Sequence, residues 1–363
     1  MKTFLDLRWI VSATLILGAL DADAQGCVAV RNMSACALSF DSTASSKWQL
    51  SLNYRYFRSF KHFRGDHEEK NRVEDGTQVI NNDNSIIIGV SYDINARWSI
   101  GLALPFLYID RSSLYEHYGN SLNSNPEQLR FHTHSVGLGD LRMMSYYKPL
   151  NARTRLTLGV GLKLPTGNYH YKDYFHKRAS DGSDSLVHKV VDQSIQPGDG
   201  GLGIIFEANI FVPVGGKMSV YGYGVYMLNP RNTNGVRRST SPATIPHGNE
   251  FSVSDQFLFR TGAMYMLNSF QAGLGCRVEG IPARDLVGQN DGFRRPGYII
   301  SAEPSVLYSS GRNSFRLDLP VALYRNRTRS VYDVQQSIET NTYRHGDAAF
   351  ADWLISVTYA RSF

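Results

Sequence analysis

Residues 84–109 read NSIIIGVSYDINARWSIGLALPFLYI, and the parsing of this stretch decides the fold. From Trp98 to Leu104 the large apolar side chains (Trp98, Ile100, Leu102, Leu104) hold one parity, and Ser99, Gly101 and Ala103 hold the other. Alternation at period two belongs to a β-strand and not to a helix. Asn95-Ala96 interrupts the run with a tight turn, so the stretch reads as a hairpin with arms 84–94 and 97–109. Both arms are long. Strands of globular domains run about 5–6 residues, whereas a strand tilted through a bilayer needs about 9–11.

Extending the same reading in both directions predicts twelve strands, at 48–60, 84–94, 97–109, 133–147, 153–164, 201–212, 217–229, 251–266, 269–281, 298–309, 313–325 and 351–363. Their connections alternate. Short turns fall at 95–96, 149–152, 213–216, 267–268 and 311–312, and long polar segments at 61–83, 110–132, 165–200, 230–250, 282–297 and 326–350. An up-and-down barrel alternates in this way when one rim faces the periplasm and the other the outside. The expected fold is therefore all-β, a transmembrane up-and-down antiparallel β-barrel of about twelve strands over residues 47–363. It places the long loops extracellular and both termini periplasmic, in the cell outer membrane. Composition agrees. Hydrophobic residues make up 42% and charged residues 19% of 363, which excludes a disordered or coiled-coil chain. No apolar run reaches the ~18 residues of a membrane helix.

The faces of the strands match a lipid-facing wall. Leu156, Leu158, Val160, Leu162 and Leu164 oppose Arg155, Thr157, Gly159, Gly161 and Lys163; Phe315, Leu317, Leu319, Val321 and Leu323 oppose Arg316 and Asp318. Aromatic residues flank the short turns (Trp48, Tyr92, Trp98, Tyr146, Tyr147, Phe211, Tyr265, Phe270, Tyr308, Phe315), and a second set (Phe106, Tyr108, Tyr298, Tyr324, Trp353) lies near the long loops. Rings that are apolar at one end and wet at the other suit the headgroup level. The chain ends on Phe363, with Tyr359, Val357 and Ile355 at alternate positions before it, which resembles the terminal signal of bacterial outer-membrane barrels. Arg361 departs from that pattern.

Residues 1–24 read as a signal peptide: Lys2 and Arg8, the apolar run Trp9–Leu20, then Ala22-Asp23-Ala24 before Gln25. Acylation of Cys27 is a competing reading. Residues 25–46 would be a periplasmic segment or a plug in the lumen. Export to an oxidising compartment makes Cys27–Cys36 a candidate disulfide, while Cys276 stands alone in a strand and points to lipid by parity. The formal net charge of +6 is not gathered into a basic stripe, so nucleic acid is not an expected partner. The expected partners are outer-membrane lipid, the barrel-assembly machinery during insertion, and a small-molecule solute.

Val136-Gly-Leu-Gly-Asp-Leu-Arg142, then Leu158-Gly-Val-Gly-Leu-Lys-Leu-Pro-Thr-Gly167, then Gln196-Pro-Gly-Asp-Gly200, resemble the outer-membrane barrels of the meta-pathway phenol-degradation family. The resemblance covers about 84–212 most closely. It implies a porin-like barrel that passes small, hydrophobic or aromatic molecules, and it carries no binding residues to transfer. Read physically, these motifs are scaffold: glycines that leave room inside, and a Pro-Thr-Gly that ends strand pairing.

By parity, Lys163, Glu207, Arg260, Arg277, Glu279, Glu303, Arg316 and Asp318 point into the lumen. They either line a small aqueous path or pair across the lumen and close it. The first option gives passive transport; the second gives a non-conducting structural or surface-binding barrel. A barrel hydrolase is a third reading. Its nearest signal, His132, His134 and Ser135, puts residues 134 and 135 on opposite strand faces, so no catalytic residue is assigned. The ten histidines (62, 67, 117, 132, 134, 170, 176, 188, 247 and 345) fall in or at the edges of the long loops. None has the spacing of a known ligand set, and no metal or cofactor is expected.

Overall fold

The computed structural model describes residues 47–149, 154–238 and 246–363. The signal peptide, the 25–46 segment, Cys27 and Cys36 lie outside the described residues. In chain order the first strands are β1 (Trp48–Arg64), β2 (His67–Glu68), β3 (Ile80–Asp93), β4 (Trp98–Ser113), β5 (Phe131–Leu138) and β6 (Leu141–Tyr147). Then come β7 (Arg155–Leu164), β8 (Lys172–Arg178), β9 (Asp184–Val190), β10 (Gly203–Gly215), β11 (Met218–Leu228), β12 (Thr233–Arg237) and β13 (Glu250–Ser252). The last are β14 (Gln256–Leu267), β15 (Phe270–Ile281), β16 (Gly297–Ser310), β17 (Asn313–Asp318), β18 (Val321–Asn326) and β19 (Ala348–Ser362).

Antiparallel neighbours follow one another around the sheet, and β19 returns to pair with β1 from Gln49↔Ser362 to Phe63↔Ala348. The result is a closed barrel of twelve staves, two of them broken in the middle. Closure leaves the barrel sheet without a first or last strand among the described residues, which is what allows a sheet to cross hydrocarbon. The ends are tied as well: Phe363 N donates to Trp48 O at 2.8 Å.

The alternation seen in the sequence is realised in space. Leu158, Val160 and Leu162 are exposed on the outside of β7, and Lys163 is buried within. Trp98, Ile100, Leu102, Phe106 and Tyr108 do the same on β4, opposite buried Ala103, Leu107 and Ile109. Large apolar side chains exposed in rows along strand after strand are rare on a soluble monomer, and a bilayer is the solvent such a wall fits. At the short-turn rim, aromatic rings pair across strands: Trp48–Tyr92 at 4.6 Å, Trp98–Tyr147 at 4.7 Å, Phe270–Tyr308 at 4.6 Å and Phe315–Tyr359 at 4.9 Å between centroids. Two aromatic residues expected in this girdle are not there. Tyr146 is buried inside with Met144, Tyr223 and Val225, and Phe211 packs on the inner cluster of Tyr221, Met264 and Leu307.

Three strands differ from their expected continuity, each for a local reason. The run 133–147 breaks at Gly139-Asp140, where Gly139 N bonds Pro105 O at 2.8 Å. The run 313–325 breaks at Leu319-Pro320, since Pro320 has no N–H for the ladder. The run 251–266 is interrupted ahead of Gln256 by Asp255, whose carboxylate accepts from Asn229 N, Leu286 N and the Tyr226 hydroxyl.

The long connections are folded, too. β8 and β9 form a hairpin, β12 and β13 pair briefly, and Val331–Glu339 is a helix whose Ser330 cap and Asp333 exchange hydrogen bonds with each other's backbone. The segment after β9 turns inward: Val191 and Ile195 are fully buried against Leu107 and Ile109, which point into the barrel from β4.

Candidate functional site: the lumen and its mouth

The residues of the motif-rich stretch converge on this inward segment. Gly139 lies where a Cβ would meet Pro105 Cγ at 2.8 Å, Leu107 Cδ1 at 2.9 Å and Pro197 O at 3.2 Å. Asp140, freed from the ladder by the strand break, accepts from Gly167 N at 2.9 Å and Asp199 N at 3.2 Å. Thr166 Oγ1 accepts from Leu141 N at 2.9 Å and donates to Gly139 O at 3.1 Å. Gly167 and Gly198 touch backbone to backbone, so that a Cβ on Gly198 would lie 2.5 Å from Gly167 O. Gln196 is buried, accepting from Tyr171 N and donating to Val191 O. Lys163 bonds Asp199. Three separated motifs thus form one knot that holds 191–200 inside the barrel.

All eight charged residues named for the lumen are buried, and Cys276 is on the exposed outer face. Six of the eight form one network between β14, β15, β16 and β17. Arg260 donates to Glu303 at 2.7 Å and to Asp318 at 2.9 Å. Arg277 donates to Glu279 at 2.8 and 2.9 Å and to Glu303 at 3.2 Å. Arg316 holds Asp318 at 2.8–2.9 Å. Three guanidinium groups meet three carboxylates, so this sector of the lumen is filled and neutral. Lys163 stands apart with Asp199, and Glu207 accepts from the Tyr146 hydroxyl at 3.4 Å.

Two cavities with a shared border lie on the long-loop side. The inner one, about 100 Å³, is bounded by wall residues such as Pro105 and Gln256 and by the inward segment at Gln196 and Asp199. The outer one, about 500 Å³, is bounded by loop residues including Arg72, Asn120, Arg238 and Arg327. Arg294 and Arg295 border both. Each is clamped: Arg294 to Asp285 at 2.6 and 2.8 Å, and Arg295 to Asp192 at 2.7 and 2.8 Å. Burial alone would raise the Asp192 carboxyl, but Arg111 and Arg295 beside it hold it well below the ordinary carboxylate range. Asp347, half-buried beside His62 and Arg72, is likewise held far down. Nothing in the sequence pointed to this arginine-rich mouth, because its members come from five separate segments.

The histidines divide. His62 and His117 are buried; His62 accepts from Val79 N at 2.9 Å and lies 2.6 Å from Asp347. His132 and His134 point outward from β5 and meet Asp110 at 2.7 and 3.1 Å. This is a two-imidazole, one-carboxylate cluster with the reach of a divalent metal site among the described residues. Ser135 is buried on the opposite face, bonded to Ile195 O, and has neither imidazole beside it.

No protein-family model matches the chain, and a search of curated proteins gives no match. Among solved structures, an outer-membrane channel from Pseudomonas putida F1 is similar, with a TM-score of 0.58 at 14% identity over 90% of this chain and 98% of that one. The two share a fold. The β domain of the Bordetella autotransporter BrkA aligns with a TM-score of 0.46 at 12% identity, over 88% of this chain and 100% of that one. The Pseudomonas putida toluene transporter TodX aligns with a TM-score of 0.42 at 10% identity, over 88% and 91%.

Proposed function

We propose that this protein is an outer-membrane barrel for passive uptake of small molecules, entering through the outer cavity and passing the Arg294–Arg295 partition into the inner one. The two cavities with a shared border carry the reading: none of the six network residues lines either, so a route through them runs beside the network. The channel from Pseudomonas putida F1, whose fold is similar, supports it, as does the resemblance of 136–200 to barrels associated with aromatic compounds. In this reading Lys163 borders the route, Glu207 lies off it beside Tyr146, and Arg260, Arg277, Glu279, Glu303, Arg316 and Asp318 brace the wall.

The long loops face outside and both termini the periplasm, and the assembly machinery reads the strand ending in Phe363. An epitope at Asp181-Gly182 is then labelled on intact cells; labelling only after permeabilisation reverses the orientation. For the conduit itself, the purified barrel is reconstituted in liposomes and planar bilayers. Solute-driven swelling or current is expected, and Arg295→Ala, which opens the partition, should enlarge the conductance step. A barrel that shows neither swelling nor current defeats the conduit, and the non-conducting reading, favoured by the charge network that fills one side of the lumen, takes its place.

A further inference from the structure

The outer cavity presents six guanidinium groups, from Arg72, Arg111, Arg238, Arg294, Arg295 and Arg327, and only two carboxylates, Asp333 and Asp347. Five of the six are matched one to one by acids on or just behind the wall. Arg72 meets Asp347 at 3.2 Å, Arg111 meets Glu116 at 2.8 Å and Arg327 meets Asp333 at 3.0 Å. Arg294 and Arg295 take Asp285 and Asp192. Arg238 is the remainder. Its guanidinium lies 4.1 Å from the Phe293 ring centroid, with that of Arg295 at 5.1 Å from the same ring, and no carboxylate of the described residues is in ion-pair contact with it.

A second observation points the same way. Arg72, Arg294 and Arg327 each carry an Nε–H that is buried with no acceptor, and all three line this cavity. Orphaned donors of this kind are rare in folded proteins and each calls for a partner. Water can accept from them, but water leaves the excess positive charge where it is. An anion answers both.

We propose that the outer cavity is a binding site for small organic anions such as carboxylates, with Arg238 as the group that recognises the charge. The site rests on the uptake reading in supplying the class of solute admitted, yet it can be tested without transport. The volume of about 500 Å³ holds a single small molecule. The rings of Tyr115, Phe293 and Tyr332 line the same cavity, so an aromatic carboxylate meets both the charge and the ring surface.

The probes are benzoate and its neutral counterpart benzamide, measured by equilibrium dialysis on the full mature barrel in detergent at low salt. Benzoate should bind at least about tenfold more tightly, the value of one charge-assisted hydrogen bond. Arg238→Ala should weaken benzoate about tenfold and leave benzamide unchanged, Arg238→Glu should weaken it further, and Arg238→Lys should recover most of the affinity. The gel shift on boiling reports that each variant is folded. Equal binding of the two probes, or benzoate affinity unchanged in Arg238→Glu, overturns the site. Planar-bilayer current separates the two claims. Benzoate binding without current removes the conduit and leaves the anion site, whereas current without a preference for benzoate removes the site and leaves the conduit.

Discussion

Glu303 is fully buried and joins the two halves of the internal charge network, because Arg260 and Arg277 both donate to it. Replacing it by Gln keeps the shape and removes one negative charge. Arg260 then retains Asp318 and Arg277 retains Glu279, but three guanidinium groups face two carboxylates inside a low-dielectric wall. Leaving one buried charge uncompensated costs about 3–5 kcal/mol. With a urea slope of about 3 kcal/mol/M, at the top of the range for small proteins, the unfolding midpoint of the barrel in liposomes should fall by about 1–1.7 M. The decisive control restores neutrality: Arg260→Met combined with Glu303→Gln leaves two pairs and should recover most of the loss, giving a strong coupling in a double-mutant cycle. The assay is urea unfolding followed by tryptophan fluorescence, with the gel shift on boiling as a second probe. If Glu303→Gln unfolds at the wild-type midpoint, these charges are solvated and line an open path, and the filled-sector reasoning is wrong.

Further outcomes follow from other parts of the molecule. Gly198→Ala forces a Cβ to within 2.5 Å of Gly167 O, so residues 191–200 should leave the lumen; conductance and proteolysis of the 165–200 loop should rise while the boiling gel shift is unchanged. An unchanged conductance would show that this segment does not narrow the route. His117 is pushed down to about 4, first by burial, opposed by Glu116 and reinforced by His176. A loop that opens lets this imidazole titrate near 6.5, so the loop packing is fully stable above that value and weakens as pH falls toward 4. Protease sensitivity of the 114–190 loops should therefore climb between pH 7.5 and 5, and His117→Phe should flatten that climb. Deleting Phe363 removes the terminal ring and the Phe363 N to Trp48 O bond at the closing seam; the amount of heat-modifiable barrel in membranes should drop, while refolding from urea into detergent is retained.

The sequence by itself determined the wall. Period-two alternation from Trp48 onward, with long strands and connections alternately short and long, leaves one solution, because a sheet with an apolar outer face must close on itself to cross hydrocarbon. Parity alone also sent Arg260, Arg277, Glu303 and Asp318 inward and Cys276 outward, since side chains on a strand have only two directions. Tertiary structure decided what fills the barrel. Whether Arg260 faces water or Glu303 depends on the register between β14, β15 and β16, and no local pattern encodes that register. The 165–200 loop reads as a polar outer segment, yet Val191 and Ile195 are buried inside it, because Gly139, Gly167 and Gly198 let three backbones approach where any Cβ would collide. Tyr146 lies close to a turn, where the rim aromatics sit, but its parity is that of the inner face, and the folded barrel follows the parity. The arginines at the mouth come from segments as far apart as Arg72 and Arg327, each unremarkable in its own stretch of chain. Only the closing of the barrel brings their charges together, and charge summed over distance is a property of the folded molecule.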